Sequence, residues 1–463
     1  LLRRPLKIFN IKPDKSSNRS DQMQYDVLVI GGGVGGGSVA LNLASRGFKV
    51  AIVEERDWGG TTINRGSTPK RALLASAETH FRMTQLVKDV APLSWSEMAS
   101  HSAKVVLAAN QRYGNNLVNA GITTIEGHAT FVNSNTILVH GQRYQAKTIV
   151  LATGARPRKL EFPGSQYMEH SASFLKASNL PDKITIVGAG IIAFALASIA
   201  TEAGTKVTIV QHNRMALRIF DQGLVQTLIS RLENAGVVFK FDNTIQNITE
   251  LSSGSYQVTT NQDQFETKAI YCVAGRVPNT EDLNLSVAGV KFGPLGIKVD
   301  ERLKTSNPQI FALGDCCDAP VPKLSNYAIY QGKYLGNNLQ KPVQFPIKYP
   351  TPALTVFSIP KLGQVGISTQ KAADKPELEV KTMDIKNWQT YARNGDDLAK
   401  LKIIFNKGNQ QIVGAEVLSQ DADQLVDYLS LLIQQHVSAD DLQQQLFAYP
   451  SQASDLYGIW QSR

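Results

Sequence analysis

The sequence predicts an α/β fold with two Rossmann-like dinucleotide-binding units, and three observations predict it. Tyr25–Ile30 (YDVLVI) is a near-continuous apolar run, as expected of a parallel strand covered on both faces, and it leads directly into Gly31-Gly32-Gly33-Val34-Gly35-Gly36. ITIVGAG, from Ile184 to Gly190, repeats the pattern further along the chain. Each turn is followed by a helical pattern and a second apolar strand, the order of a βαβ unit.

In the first unit the spacing predicts a helix from Gly37 to Ser45, then a strand over Lys49–Val53 that ends on Glu54, 23 residues after Gly31. Gly31 makes the tight turn, Gly33 lets the backbone approach a pyrophosphate, and Gly36 permits close helix packing. The Glu54 carboxylate accepts from ribose hydroxyls. With strand, helix and acid in register, this is a complete dinucleotide fingerprint.

The second unit takes its strand and turn from Ile184–Gly190, with Gly188 and Gly190 in the turn and Ala193 in the third glycine's place. Its helix is Ile191–Glu202 and its next strand Lys206–Val210. No acid closes that strand; Gln211, His212, Asn213 and Arg214 follow. A carboxylate would repel a 2′-phosphate, whereas neutral and cationic groups accept one, so this site favours NADP(H), with NAD(H) still open. An exposed basic turn without a ligand is the bland alternative for any one of these residues. Two such units in one chain suggest two cofactors, one relaying electrons to the other.

Composition bounds the function. A chain of 463 residues implies several domains, and 43% hydrophobic with 19% charged residues excludes general disorder. The net charge of +9 is uneven: residues 1–22 carry six basic groups (Arg3, Arg4, Lys7, Lys12, Lys15, Arg19) against Asp14 and Asp21. Without a clustered basic face elsewhere, no nucleic acid partner is expected. The longest apolar stretches, such as 191–200, are far shorter than the roughly 20 residues of a membrane helix, so no membrane partner is expected either. Three cysteines (Cys272, Cys316, Cys317) make no disulfide framework, and the N-terminus shows no secretory apolar region, which points to the cytoplasm. Met23 looks like a natural start, leaving 1–22 as a disordered extension; organelle targeting is the alternative for that tail. His80, His101 and His170 show no ligand spacing, and no metal site is expected.

LATGARPR (151–158), AGRVPNT (274–280) and FALGD (311–315) occur in an order that resembles the FAD-dependent pyridine nucleotide–disulfide oxidoreductases. GHATF (127–131) is similar to that family's adenine-contacting segment, and YGNNL (113–117), PKR (69–71) and ALRIFD (216–221) resemble glutathione reductase-like members in particular. The resemblance covers residues 23–463. It implies an FAD-binding domain formed by 23–157 and 276–345, an NAD(P)H-binding domain at 158–275, and a C-terminal α+β dimerisation domain at 346–463 that makes a homodimer. Strands over 401–405 and 412–417, then an amphipathic helix over 422–435, fit that last domain. By the same resemblance Thr61, Ala129, Thr153, Gly154, Gly275 and Asp315 contact the dinucleotides, with Asp315 on the flavin's ribityl and pyrophosphate region. Arg218, with His212 and Arg214, faces a 2′-phosphate.

The departures from the family pattern bear most on function. Its redox centre is a cysteine pair five positions apart after a glycine pair; here Gly59-Gly60-Thr61-Thr62-Ile63-Asn64-Arg65-Gly66-Ser67-Thr68-Pro69-Lys70 puts Thr62 and Ser67 in those places. A hydroxyl cannot cycle between thiolate and disulfide. The family's C-terminal His-x-His-Pro-Thr-x-x-Glu reads Phe447-Ala448-Tyr449-Pro450-Ser451-Gln452-Ala453-Ser454, so Tyr449 replaces the base and Ser454 its carboxylate. Tyrosine, with a pKa near 10, accepts protons poorly at neutral pH. Lys70 matches a lysine that pairs with a glutamate, but Ala195 stands at the glutamate's position. An unpaired ammonium there favours an anionic reduced flavin; alternatively, Lys70 turns to solvent or another acid. Thr62 and Ser67 either fill the vacated space or bond a flavin or substrate oxygen. Tyr113 resembles a gate at the disulfide-substrate pocket. The adjacent Cys316 and Cys317 read as buried thiols, a replacement redox pair being the lesser alternative.

Two functions lead on sequence, with another chemistry using the pocket between Thr62, Ser67 and Tyr449 as the third reading left open. The preferred one is an FAD-dependent NAD(P)H oxidoreductase that serves a small-molecule electron acceptor directly, such as a quinone, with oxygen or a second nicotinamide nucleotide next in order. Lys70 and Tyr449 are its candidate catalytic residues. The alternative is a catalytically silent FAD-binding homodimer acting as a sensor or binding partner.

Overall fold

The computed structural model describes residues 24–339, 341 and 345–461. The expectation of a disordered extension at 1–22, and Met23 with it, lies outside these residues. Three large sheets carry the molecule, one mixed and one parallel, both of βαβ character, and one antiparallel; a three-stranded antiparallel sheet of Ile245–Glu250, Tyr256–Thr260 and Gln264–Thr267 and two short ribbons complete the described strands. No helix among the described residues is long and apolar enough to cross a membrane.

The first sheet is centred on Tyr25–Ile30, which pairs in parallel with Val50–Glu54 on one side and Gln142–Leu151 on the other. Thr123–Glu126 extends it beyond Val50–Glu54, and Ile310–Ala312 returns from far along the chain to pair with Gln142–Leu151. Val27, Leu28 and Val29 have no exposed surface, as a two-face-covered strand requires. The second sheet has the order Val238–Lys240, Lys206–Val210, Lys183–Val187, Ala269–Cys272, Glu169–His170, all parallel. A short antiparallel ribbon, Ala155–Pro157 with Arg276–Pro278, joins the strands where the chain passes between the two sheets and back. The third sheet is antiparallel, ordered Ala353–Val356, Lys361–Gly366, Ile412–Ser419, Lys400–Asn406, Leu378–Asp384, with the Ala422–Gln434 helix on one face.

The long Ser67–Leu86 helix buries Leu73, Leu74, Ala77 and Phe81 in the same core as Ile184, Ile186, Phe194 and Leu228 of the second unit and Val356 and Leu362 of the third sheet. It begins beside the first glycine turn yet packs on the other two sheets. Position in sequence therefore does not dictate which core a helix serves.

The second-unit helix Ile191–Glu202 and strand Lys206–Val210 have the boundaries the sequence predicts. The first helix does not: it starts at Val34, three residues before the expected Gly37, and ends at Ala44. Glycine's low helix propensity suggests a later start, but here Gly35, Gly36 and Gly37 are all buried within the helix. A β-carbon on Gly36 would strike the Gly31 carbonyl oxygen, and one on Gly37 the Tyr113 hydroxyl. Close approach, not backbone freedom, requires glycine at both positions. Gly36→Ala should therefore cost about 1–3 kcal/mol, as overpacking does, and lower the urea midpoint of unfolding. Gly121→Ala, which meets open space but has φ of +70°, provides a control in which backbone strain acts without a clash.

Candidate active site and nucleotide sites

Two glycine turns are built on one plan. Gly31 has φ of +110° and Gly188 +105°, a region that admits glycine readily. The Gly31 N–H donates to the Val53 carbonyl at 2.8 Å, and Gly188 N–H to the Val210 carbonyl at 2.8 Å. At the next residue a side chain from the end of the neighbouring strand captures the backbone. Glu54 Oε2 accepts from Gly32 N–H at 2.7 Å, and Gln211 Oε1 accepts from Ala189 N–H at 3.0 Å. Burial pushes the Glu54 carboxyl up, against the opposing N–H bonds from Arg56 and Gly32. Gln211 donates its own amide to Asn213 Oδ1 at 2.9 Å. Its side chain is thus spent on its turn, which its replacement of an acid does not reveal in the sequence.

Space opens over the first turn. The nearest atom to a β-carbon on Gly33 would be Gly60 Cα at 3.9 Å, and one on Gly154 would meet nothing within 4 Å. Thr153 and Asn279 lock the adjoining strand ends, Thr153 Oγ1 donating to the Asn279 carbonyl at 2.7 Å and Asn279 Nδ2 to the Thr153 carbonyl at 2.8 Å. Ala129 is buried, and Gly127 N–H donates to the Glu54 carbonyl at 2.9 Å, so the 127–131 segment lies against the end of the Glu54 strand. Asp315, in the short Gly314–Cys316 turn, has its carboxyl raised by burial against the charges of Arg276 and Lys323. Among the described residues no hydrogen bond satisfies that carboxylate. An open glycine cradle flanked by two half-buried carboxyls suits a nucleotide with ribose and polyol hydroxyls to donate. The residues present fit FAD.

Thr62 and Ser67 sit on different helices. Gly59 and Gly60, at φ of +86° and +58°, start the short Gly60–Asn64 helix that carries Thr61 and Thr62, and Gly59 N–H pins it to the Gly32 carbonyl at 2.8 Å. Thr62 Oγ1 lies 2.7 Å from Ser325 Oγ, the first residue of the Ser325–Asn338 helix. Ser67 is exposed and opens the Ser67–Leu86 helix, where Lys70 follows one turn later. The Lys70 ammonium makes no ion pair or hydrogen bond among the described residues and rests 5.2 Å from the Phe357 ring centroid; Arg71 lies over the same ring at 4.0 Å. Burial, then the neighbouring Arg71 charge, lowers its pKa to about 8. Lys70 thus meets an aromatic face and, among the described residues, no acid.

Other expected site residues are placed less simply. Tyr113 donates its hydroxyl to the Gly33 carbonyl at 2.8 Å, and burial pushes its phenol well up. The tyrosine suggested as a gate by the sequence braces the first turn through this bond. Tyr449 is 77% exposed and its hydroxyl bonds Gln389; among the described residues no hydrogen bond, ion pair or ring contact links it to Thr62, Ser67 or Lys70. Ser454 is taken up by a capping box with Ser451. In the second unit His212, Arg214 and Arg218 are all exposed; Gly190 caps the Ile191–Glu202 helix, and Gly275, at φ of +105°, accepts from Arg158 N–H at 3.0 Å. Arg214 pairs with Asp242, whereas Arg218 has no partner among the described residues. Ser325 and Phe357 are site residues that sequence reasoning missed, since no local pattern marks them; Arg276, beside Asp315, lies within the AGRVPNT segment but was not singled out.

The chain's three cysteines are single and buried. Cys316 directs its thiol to the Leu313 carbonyl at 3.2 Å and Cys317 to that of Gly314 at 3.3 Å. Burial pushes all three thiols up, Cys317 to about 12 with help from its neighbour Cys316. Among the described residues no cluster of three or more His, Cys, Asp or Glu side chains suits a metal ion.

Residues 25–332 match the pyridine nucleotide-disulphide oxidoreductase family and 352–457 match its dimerisation domain, and the chain belongs to this family of FAD-dependent, nicotinamide-linked oxidoreductases. It is 30% identical to a glutathione reductase of Burkholderia cepacia, across 93% of this chain and 97% of that one. It is 28% identical to a dihydrolipoyl dehydrogenase of Geobacillus stearothermophilus, across 93% and 94%. The HOCl-induced flavoprotein disulfide reductase RclA from Escherichia coli has the same fold, with a TM-score of 0.87 at 24% identity, across 94% and 99%.

The burial of the thiols generates a simple expectation. A water-soluble disulfide reagent at pH 7 should label none of the three cysteines in the folded protein within minutes and all three after unfolding. A rapidly labelled thiol in the native state would show one to be accessible.

Proposed function

We propose that the protein is an NADPH-dependent flavoprotein oxidoreductase that reduces a small diffusible acceptor, a quinone by preference, without a disulfide relay. The observation that carries this reading is the pair Thr62 and Ser67 in an otherwise intact glycine-flanked frame, in a chain whose only thiols are buried and raised. A bound flavin would supply two-electron acceptance from a reduced nicotinamide and release to the acceptor. The overall exchange balances with one hydride from NADPH and one proton converting a quinone to a quinol.

The chain's own residues would act by binding and electrostatics. Gly31, Gly33, Gly36, Glu54, Thr61, Ala129, Thr153, Gly154 and Asp315 would hold FAD; Gly188, Gly190, Gly275, His212, Arg214 and Arg218 would hold the nicotinamide nucleotide. Residues 23–157 with 276–345 would form the FAD domain, 158–275 the nicotinamide domain, and 346–463 the homodimer contact. Lys70, free of a carboxylate, would keep its proton on Nζ through most of the neutral range and favour negative charge on the reduced cofactor. Thr62, tied to Ser325, would close the slot that a redox sulfur occupies in relatives. Tyr449, exposed within one chain, would be completed as a site only by the partner subunit.

Two measurements test this. Anaerobic titration should deliver two electrons per FAD, not four, with no long-wavelength thiolate charge-transfer band, and turnover should appear with quinones and not with glutathione disulfide. Uptake of four electrons would overturn the absence of a relay, and failure of NADPH to reduce the flavin would leave a silent FAD-binding dimer. Separately, Arg218→Ala should weaken NADPH binding about tenfold, the scale of one charge-assisted phosphate contact, and leave NADH binding nearly unchanged. Equal losses would remove Arg218 from the 2′-phosphate site.

A further inference from the structure

A carboxyl outside these sites lies where the third sheet meets the second nucleotide unit. Glu416, in the Ile412–Ser419 strand, is 1% exposed. Its Oε2 lies 2.8 Å from Thr369 Oγ1, and the same Oγ1 lies 2.9 Å from Asp221 Oδ2. A hydroxyl carries one hydrogen and can donate to only one of two carboxylates. Asp221 has the stronger claim to negative charge. Lys402 Nζ is 2.8 Å from its Oδ2, and its Oδ1 caps the Gln222–Asn234 helix by accepting from Leu224 N–H at 2.9 Å. Although burial opposes ionisation, these bonds and that from Thr369 hold Asp221 below its ordinary value. Thr369 therefore donates to Asp221, and the remaining contact requires a proton on Glu416 that is donated to Thr369.

The surroundings agree. Lys402 on the Lys400–Asn406 strand and Asp221 before the Gln222–Asn234 helix are the charged groups that face Glu416; the Lys361–Gly366 strand presents neutral Gln364 opposite it. Among the described residues Glu416 Oε1 has no hydrogen-bond partner, which an ionised carboxylate tolerates poorly, and the facing Gln364 Oε1 has none either. Burial, with the Asp221 charge, pushes the Glu416 carboxyl up to about 7 against the Thr369 bond and Lys402.

The junction is tied to the second turn through one short segment. Gln370 Nε2 donates to the Phe220 carbonyl at 3.4 Å and Lys400 Nζ to Thr227 Oγ1 at 3.3 Å. Phe220 N–H donates to the Leu217 carbonyl at 2.9 Å, and Leu217 N–H to that of Ala189 at 3.0 Å, in the glycine turn itself.

We propose that Glu416 is a proton-operated latch: protonated, it ties the third sheet to Asp221 and steadies the 211–221 loop; ionised, it releases the tie and weakens the hold on the nicotinamide nucleotide. The link to the nucleotide rests on the reading of His212, Arg214 and Arg218 given above. An acid whose folded pKa is raised stabilises at low pH and loses that contribution as pH rises from its ordinary value through about 7. The latch is therefore closed below neutrality and open above it.

Hydrogen–deuterium exchange of the FAD-loaded protein at pH 6 and 8.5, corrected for intrinsic rates, reads the latch, and NADPH titration at the same pH values reads its consequence. In wild type, protection of 217–228 should fall about tenfold between the two, with a several-fold loss of NADPH affinity. Glu416→Gln, whose amide donates at every pH, should abolish both changes. Equal changes in wild type and Glu416→Gln, or none in wild type, would overturn the proposal. Should Glu416→Gln fail to fold, Thr369→Val removes the relay and should exchange rapidly at both pH values; pH-dependent protection surviving there would also overturn it. If exchange follows the expected pattern while NADPH binds at neither pH, the nucleotide reading fails and the latch stands. If NADPH binds while exchange stays flat, the latch fails and the nucleotide reading stands.

Discussion

The backbone N–H at the apex of each glycine turn has to be satisfied, and in both units the side chain closing the neighbouring strand does it. Glu54 takes the Gly32 N–H and Gln211 the Ala189 N–H. Each bond ties the turn to the strand beside it. Once the turn is fixed, the following helix starts from a defined point, and Gly36 can lie against Gly31 without a β-carbon between them. Further elements hang from the first turn: Gly59 pairs with Gly32, and Tyr113 braces Gly33 from the far helix. The difference between the two units is electrostatic. Glu54 brings a half-buried carboxyl to its turn, whereas Gln211 makes the same bond with no charge, so a phosphate beside the second turn meets no fixed anion from that residue.

That separation of cradle from chemistry explains how the centre can change while the fold persists. The Gly60–Asn64 helix is held by Gly59, by Asn64 Nδ2 on the Trp58 carbonyl at 2.9 Å, and by Asn110 on Asn64 at 3.0 Å. None of these bonds involves position 62 or 67. A threonine at 62 adds its own bond to Ser325, and an exposed serine opening a helix costs little. Lys70 sits differently, because a buried ammonium with no carboxylate beside it is costly unless something takes the carboxylate's place. Phe357 replaces it in part, since an aromatic face attracts a cation by about 0.5–2 kcal/mol. Burial, then the neighbouring Arg71 charge, lowers the ammonium's pKa to about 8.

Much of the fold was legible because its signals are local. Apolar strands, the glycine turn and the acid 23 residues after Gly31 are read within one βαβ unit, and Ile191–Glu202 and Lys206–Val210 lie where periodicity puts them. The start of the first helix was misread because glycine propensity, a weak prior, was overridden by packing against Gly31 and Tyr113. Identities at the candidate site were legible; their partners were not. Ser325 meets Thr62 across 263 positions, and Phe357 lies under Lys70 from the start of the third sheet's first hairpin. Neither side chain carries a pattern of its own: Ser325 is met by the Gly60–Asn64 helix, and Phe357 by the packing of the Ser67–Leu86 helix against the third sheet.

The same helix gives the departures from the family pattern a common physical logic. It starts at Ser67, presents Lys70 one turn later, and buries its remaining length against the second unit and the third sheet. A thiol at its first residue would gain from the positive helix N-terminus, which stabilises a thiolate; a serine hydroxyl does not ionise there and gains little. With no thiolate to receive a proton, a base from the C-terminal segment has no task, and a carboxylate to orient that base has none either. Tyr449 and Ser454 are free to become a surface tyrosine and a capping serine, as they are. Loss of the sulfur relaxes both positions at once, whereas loss of the base alone would leave a reactive thiolate without its proton partner. On the proposed reading, the coherent direction of change runs from the helix start outward, and a nicotinamide-linked flavin site that kept its cradle but not its sulfur would need an acceptor able to meet the cofactor directly.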